Sequence, residues 1–268
     1  SVVLGFETTE TTAEDRPDLP TRTGDRSGSG GAQLPISGGY DVDEYFLELG
    51  IPVTEGLSVD AGYRRASYST GANTDAYKLG AFWSINDSVS FRAAAQSSTR
   101  HANISELYTT PGFGLVDLDN DPCATPQQDG TSPATATQAQ CASTGLAANL
   151  YGTDLNSPAD QYNTLGGGNS AVQPEESTSF TAGVIITPAA VPGLTVTLDL
   201  FDITVEDGID SVSASTALGK CVETGLAAYC DLINRNPTNG SLWLTGGYIS
   251  TALTNIGEEQ TRGLDVIF

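Results

Sequence analysis

The sequence predicts an all-β protein: an antiparallel transmembrane β-barrel segment of about eight strands with long extracellular loops. Three observations predict it. Apolar residues recur with period two along most of the chain, which puts one kind of side chain on each face of a strand. Tight turns and long connections alternate, so the chain length between strands collects at one end. Only 16% of residues are charged, below the roughly 25% of soluble domains, so the strands lack the charged outer face of a soluble sandwich.

The elements follow in order. A first strand covers residues 2–12, and Tyr45, Leu47, Leu49, Ile51 and Val53 form the apolar row of a second. Leu57, Val59, Ala61 and Tyr63 alternate with Ser58, Asp60, Gly62 and Arg64 in a third. Tyr77, Leu79, Ala81, Trp83 and Ile85 alternate with Lys78, Gly80, Phe82 and Ser84 in a fourth. Val89, Phe91, Ala93 and Ala95 mark a fifth, and Phe180, Ala182, Val184 and Ile186 a sixth. Leu194, Val196, Leu198 and Leu200 mark a seventh, and the last lies within residues 251–268. The connections fall at roughly 13–38, 54–56, 70–75, 86–88, 101–176, 189–193 and 210–250. Every even-numbered connection is a tight turn (Glu55-Gly56, Asn86-Asp87, Pro192-Gly193), and the two longest are odd-numbered. Short turns on one side of a membrane and long loops on the other are the pattern of outer-membrane barrels. On this reading Leu57, Val59, Tyr63, Leu79, Trp83, Phe91, Val184, Leu198 and Leu200 face lipid. Ser58, Asp60, Arg64, Lys78, Arg92, Thr195 and Asp199 face the lumen.

Composition narrows the function. Eleven Lys and Arg against 33 Asp and Glu leave a net charge of −22, which excludes a nucleic-acid partner that needs a basic face. One His removes most zinc sites and most His-based acid–base chemistry. No run of 18 apolar residues is present, so no transmembrane helix is expected; a spanning strand needs only about 9–11 residues. The chain has no Met and no basic-then-apolar leader, and reads as processed or cut. Cys123, Cys141, Cys221 and Cys230 suit an oxidising compartment and show no CxxC spacing. The local pairing, Cys123–Cys141 and Cys221–Cys230, is expected because each pair lies within one loop. Residues 215–234 read as helical, yet nine residues of unbroken helix span about 13 Å, too far for a disulfide. The helix is therefore expected to break at Thr224-Gly225.

Four stretches resemble the barrel domain of TonB-dependent outer-membrane receptors. Arg100-His101-Ala102-Asn103-Ile104-Ser105-Glu106-Leu107-Tyr108 is similar to the family's Arg-Ala-Pro-Asn-x-x-Glu-Leu-Phe/Tyr segment, with His101-Ala102 in place of Ala-Pro. Pro174-Glu175-Glu176-Ser177 resembles its Pro-Glu-x-Ser strand opening. Residues 201–209 resemble its Phe-x-Ile-x-Val-x-Asp-x-Ile strand, and Asn255-Ile256-Gly257 with Thr261-Arg262-Gly263-Leu264-Asp265 its Asn-x-Gly and Thr-x-Gly-x-Asp/Glu strand. The resemblance runs from about Gly39 to Phe268 and implies a piece of a larger, plugged barrel of the 22-stranded type. Neither a plug domain nor a TonB-contact motif is found in this sequence. What the resemblance implies is a receptor in the outer membrane of a Gram-negative bacterium, surrounded by membrane lipid. It would take up a scarce small-molecule or oligosaccharide cargo (siderophore, cobalamin or glycan) with energy delivered through its plug from the TonB system. Two alternatives stand beside it: a complete, passive eight-stranded barrel acting as adhesin or small pore, and a soluble secreted glycan-binding β-protein.

Candidate site residues are few. Asp117, Asp119 and Asp121 form a D-x-D-x-D pattern that suggests calcium, although Pro122 and Gln128 stand where a calcium loop of the helix–loop–helix type needs Gly and Glu. No other cofactor is implied. Arg64, Lys78 and Arg92 are expected to pair with lumenal carboxylates such as Glu48, Asp60 and Asp199. His101 is expected to pack or cap, and Gly166-Gly167-Gly168 to form a flexible loop tip. No Gly-x-Ser-x-Gly elbow accompanies the lone His, so no enzyme is expected.

Overall fold

The computed structural model describes residues 1–26 and 31–268. The chain opens with β1 (Val2–Asp15), a short helix α1 (Leu19–Thr23), β2 (Ile36–Pro52), β3 (Leu57–Tyr68), β4 (Asn73–Asn86) and β5 (Val89–Arg100). A long excursion follows: α2 (Ile104–Tyr108), β6 (Gly112–Asp117), α3 (Gln138–Ser143) and β7 (Gln161–Gly166). The chain then returns through β8 (Glu175–Ile186) and β9 (Val196–Glu206). A second excursion holds β10 (Ile209–Asp210), α4 (Ala214–Thr224), α5 (Ala227–Cys230), β11 (Ile233–Asn234), β12 (Tyr248–Ser250) and β13 (Thr254–Asn255). The final strand is β14 (Glu258–Ile267).

Eight strands form one antiparallel sheet in the order β1-β2-β3-β4-β5-β8-β9-β14. Its edges are β1 and β14, and no pairing joins them, so the sheet is open rather than a closed eight-stranded barrel. The registers carry the period-two pattern across the whole sheet. Leu57 stands opposite Trp83, Trp83 opposite Phe91, Phe91 opposite Val184, Val184 opposite Leu198 and Leu198 opposite Val266. Every large residue of the expected lipid set therefore lies on one face. No second layer covers it among the described residues: Leu79 is 59% exposed, Leu200 58% and Leu264 58%. That excludes a sandwich, whose inner faces bury such rows. No helix among the described residues is long and apolar enough to cross a membrane.

The turns explain the register. In the β4–β5 turn the Asn86 carboxamide oxygen accepts from the backbone N–H groups of Ser88 and Val89. The connections 53–56, 87–88 and 187–195 lie at one end; the four-residue turn 69–72 and both long excursions lie at the other. The strands run further than the alternation alone indicates, so the first connection is 16–35 rather than 13–38. The strand expected over residues 201–209 instead stops at Glu206: Asp207 adopts a left-handed conformation, and Ile209 pairs with Asn255 in a separate two-stranded sheet.

The compact core is not in the sheet. Leu118 and Tyr162 of the first excursion pack with Ala217, Leu218, Ile233, Leu242 and Ile249 of the second. A small sheet ordered β11-β12-β7-β6 crosses between the excursions through the parallel pair β12–β7. The two excursions thus fold into one module at one end of the large sheet.

Candidate functional site

The four family-like stretches meet at the junction between sheet and module. Asn103 caps α2: its carboxamide oxygen accepts from the Glu106 N–H at 2.9 Å, and the Glu106 carboxylate accepts from the Asn103 N–H at 2.8 Å. That fixes Glu106 for Arg100, which donates to Glu106 at 2.9 and 3.1 Å and to Glu175 at 2.5 and 2.7 Å. Glu175 also accepts from the Ile209 N–H at 2.8 Å. Asn255 donates to the carbonyls of Asp207 and Gln173 and accepts from the Gln173 N–H. Each short motif therefore supplies part of one network that anchors the module.

His101 sits beside this network. It stacks on Tyr68 with ring centroids 3.9 Å apart and meets Tyr40 edge-on at 4.9 Å. Its Nδ1–H donates to the Ala102 carbonyl, and Nε2 lies 2.9 Å from the Thr70 hydroxyl. Burial holds its imidazole below the usual value. It packs, as expected. The glycine run is a correction. Gly166 closes β7, and Gly168 donates to the Thr109 carbonyl and lies so near α2 that a Cβ there would sit 2.8 Å from the Glu106 carbonyl oxygen. It is a close-packed joint, not a flexible tip.

On the polar face, Lys78 pairs with Asp60 at 3.2 Å and Arg92 with Asp199 at 2.5 and 2.8 Å. Arg64 takes Glu44 and Glu7 rather than Glu48. The three cations are about half exposed, so each pair stabilises by only about 0.2–1 kcal/mol.

The D-x-D-x-D residues do not act together. Asp117 ends β6 and is exposed, as is Asp119. Asp121 is fully buried, and its two carboxylate oxygens accept from Arg235 Nη1 at 2.6 Å and Nη2 at 3.0 Å. Arg235 also donates to the Thr144 hydroxyl at 2.7 Å and the Gly240 carbonyl at 2.9 Å, which leaves the pair well satisfied. Among the described residues no three His, Cys, Asp or Glu side chains converge as a metal site would require. The buried pair ties one excursion to the other across 114 residues. Sequence reasoning missed it; the one available signal was a lone Arg within the second loop of a chain poor in cations.

Both disulfides form locally: Cys123–Cys141, with Cα atoms 5.8 Å apart, and Cys221–Cys230, at 4.8 Å. The helix breaks where expected. α4 ends at Thr224, Gly225 takes φ +66°, and α5 turns Cys230 back towards Cys221. Tyr162 lies beneath this region, 1% exposed, and burial pushes its phenol up to about 12.

An open antiparallel sheet, bare and apolar on one face, polar on the other and carrying a disulfide-bonded module at one end, defines a segment of a β-barrel wall. The family described as TonB dependent receptor-like, beta-barrel matches residues 3–267, and the chain belongs to that family. That family is one of receptors and transporters, not of enzymes. No curated protein matches it. Among solved structures it resembles a ferric enterobactin receptor, PfeA, from Pseudomonas aeruginosa in complex with enterobactin, at 15% identity and a TM-score of 0.60; 99% of this chain and 30% of that one are covered. The siderophore receptor PirA from the same organism is similar at 13% identity and a TM-score of 0.57, covering 99% and 35%. The hemophore receptor HasR of Serratia marcescens, in complex with its hemophore HasA and heme, gives 13% and 0.51, covering 99% and 35%. At such identities the likeness speaks for the fold, and the chain spans about a third of each of these relatives.

Proposed function

We propose that the chain is a partial barrel domain of an outer-membrane receptor that imports a scarce, bulky nutrient using energy supplied through the TonB system. The observation that carries the reading is the unbroken apolar face running across all eight strands, with nothing packed on it among the described residues. Lipid is the solvent that such a face fits. On this reading the short turns lie in the periplasm, the module faces the outside, and the polar face lines the lumen around a plug. Further strands complete the two edges, because an open sheet edge in lipid leaves backbone groups unsatisfied. The neighbours bind ferric enterobactin or a heme-carrying hemophore, which supports iron-type cargo as one class beside cobalamin and oligosaccharides. The plug and the TonB contact are supported by family membership alone.

The test has two parts. The native protein is followed through separation of inner and outer membranes, and its presence in the outer fraction is expected. Cargo accumulation is then measured in cells with and without the receptor gene, before and after collapse of the proton gradient. Accumulation that needs the gene but survives loss of the gradient would refute energised import.

A further inference from the structure

The bare face ends in an oblique line rather than a level one. Towards the module, the last apolar residue on that face is Tyr45 on β2, Tyr63 on β3, Tyr77 on β4, Ala95 on β5, Phe180 on β8 and Leu200 on β9. Tyr63 stands level with Tyr77, and Ala95 with Phe180. Tyr45, however, is level with Arg65, Tyr77 with Ser97 and Phe180 with Asp202. The apolar limit therefore drops two residues at every second strand. One residue of about 3.3 Å per strand spacing of about 4.8 Å is a tilt of about 35°, which a barrel wall in a bilayer requires. The apolar band is five positions deep, from Tyr45 to Val53 on β2 and from Tyr77 to Ile85 on β4. At that tilt such a band spans about 22 Å, close to the roughly 25 Å of a transmembrane barrel.

On β8 and β9 a band of that depth runs past the ends of the strands. Phe180, Ala182, Val184 and Ile186 take four places on β8, and Pro188 the fifth. Leu200, Leu198 and Val196 take three on β9, and Leu194 and Pro192 the other two. At the neighbouring turns of this end the fifth place belongs to Glu55 and Asp87, charges suited to headgroups and water. The third turn instead runs Pro188-Ala189-Ala190-Val191-Pro192-Gly193-Leu194, without a polar side chain and with Val191 51% exposed at its tip. We infer that this turn is a lipid contact in its own right, seated at the glycerol level of the inner leaflet; the inference rests on the lipid-facing reading and extends it. The backbone suits such a place. Pro188 and Pro192 have no N–H, the Val191 N–H donates to the Pro188 carbonyl at 3.0 Å, and the Leu194 N–H to the Val191 carbonyl at 3.2 Å. Thr187 donates to the Ser88 carbonyl at 2.8 Å, which ties the turn to its neighbour. Gly193 takes φ +86°, so the tip folds back without strain. A turn with few unmet donors is one that the edge of a hydrocarbon layer tolerates. Both β8 and β9 have paired strands on either side, so their depth is independent of where the sheet stops.

Photo-crosslinking tests this on the full-length receptor in vesicles of phosphatidylethanolamine and phosphatidylglycerol, with benzoylphenylalanine placed at one position at a time. Val191 lies beyond the depth of Asp87, so a turn projecting into water gives fewer lipid adducts at 191 than at 87. A seated turn gives the reverse, with Val191→benzoylphenylalanine yielding about threefold more lipid adduct than Asp87→benzoylphenylalanine. Leu200→benzoylphenylalanine is the reference for the bare face. Lipid adducts at 200 without an excess at 191 overturn the inference and leave the receptor reading standing; no lipid adduct at 200 removes the lipid-facing reading itself. Adducts at 191 mainly with protein, whether another segment of the receptor or a periplasmic partner, also overturn it. A second measurement uses A190D combined with V191D. The unfolding midpoint should fall in dioleoyl vesicles and stay unchanged in dilauroyl vesicles, whose thinner hydrocarbon stops short of the turn. Equal loss in both, or none in either, overturns the inference.

Discussion

Replacing Asp121 with Ala should loosen the module. The carboxylate is fully buried and the Arg235 side chain 1% exposed, so the variant leaves a guanidinium in a dry interior with only Thr144 and Gly240 to satisfy it. Removing one partner of a buried pair costs about 3–5 kcal/mol, mostly the penalty of the stranded charge. It also removes the acceptor for the Cys123 N–H at 2.9 Å, which adds to the loss. The pair joins the two excursions, so the effect should appear where they meet. Amides of the β7–β12 pairing, where Thr164 stands opposite Ile249, should exchange hydrogen about two to nearly four decades faster, at 1.36 kcal/mol per decade. Amides in the middle of β4 and β5 should be unchanged. A second variant separates charge from packing. D121L combined with R235M removes both charges and fills the space, and such replacements are often neutral. A less than tenfold rise in D121A, or a double variant that exchanges as fast as the single one, would refute the clamp.

Three further outcomes are expected. L200K puts an ammonium on the bare face, in the row with Ala182 and Leu264, and should lower stability in lipid vesicles by about 2–4 kcal/mol near the midplane; an unchanged unfolding midpoint would remove lipid from that face. Tyr162 ionises near 12 in the folded module and near 10 unfolded, so its contribution is complete below pH 10 and is lost as pH rises towards 12, a change of about 2–3 kcal/mol. A phenol absorbance titration of wild type against Y162F should show one group titrating late, and a difference centred near 10 would contradict its burial. Reduction should open residues 123–141 at a cost of about 3 kcal/mol while leaving the large sheet folded, as read by strand-specific hydrogen exchange; simultaneous loss of both would make the module and sheet one cooperative unit.

The sheet was legible because its information is local. Leu57, Val59 and Tyr63 announce their face by period alone, and a partner strand must match that face or expose every side chain wrongly. The disulfides were legible for a related reason, since Gly225 and the nine-residue spacing constrain one short segment. The module was not legible. Asp121 reads as one of three evenly spaced carboxylates, and nothing near it reveals that its partner is Arg235, 114 residues away. Gly166-Gly167-Gly168 fails similarly, because a glycine run is consistent both with a free loop and with backbones packed too closely for a Cβ.

The four short motifs lie between these extremes. As strings they marked the chain's relatives without saying what they do. In the structure they become one device: Asn103 caps α2 to present Glu106, Arg100 clamps Glu106 to Glu175, Glu175 holds the start of β10, and Asn255 ties β13 to Gln173 and Asp207. A clamp of this kind needs a cation between two carboxylates and a capped helix end to present one of them. The rest of the module needs only a core and a buried pair to hold its shape. Anchor residues are therefore the part of such a chain that short motifs report.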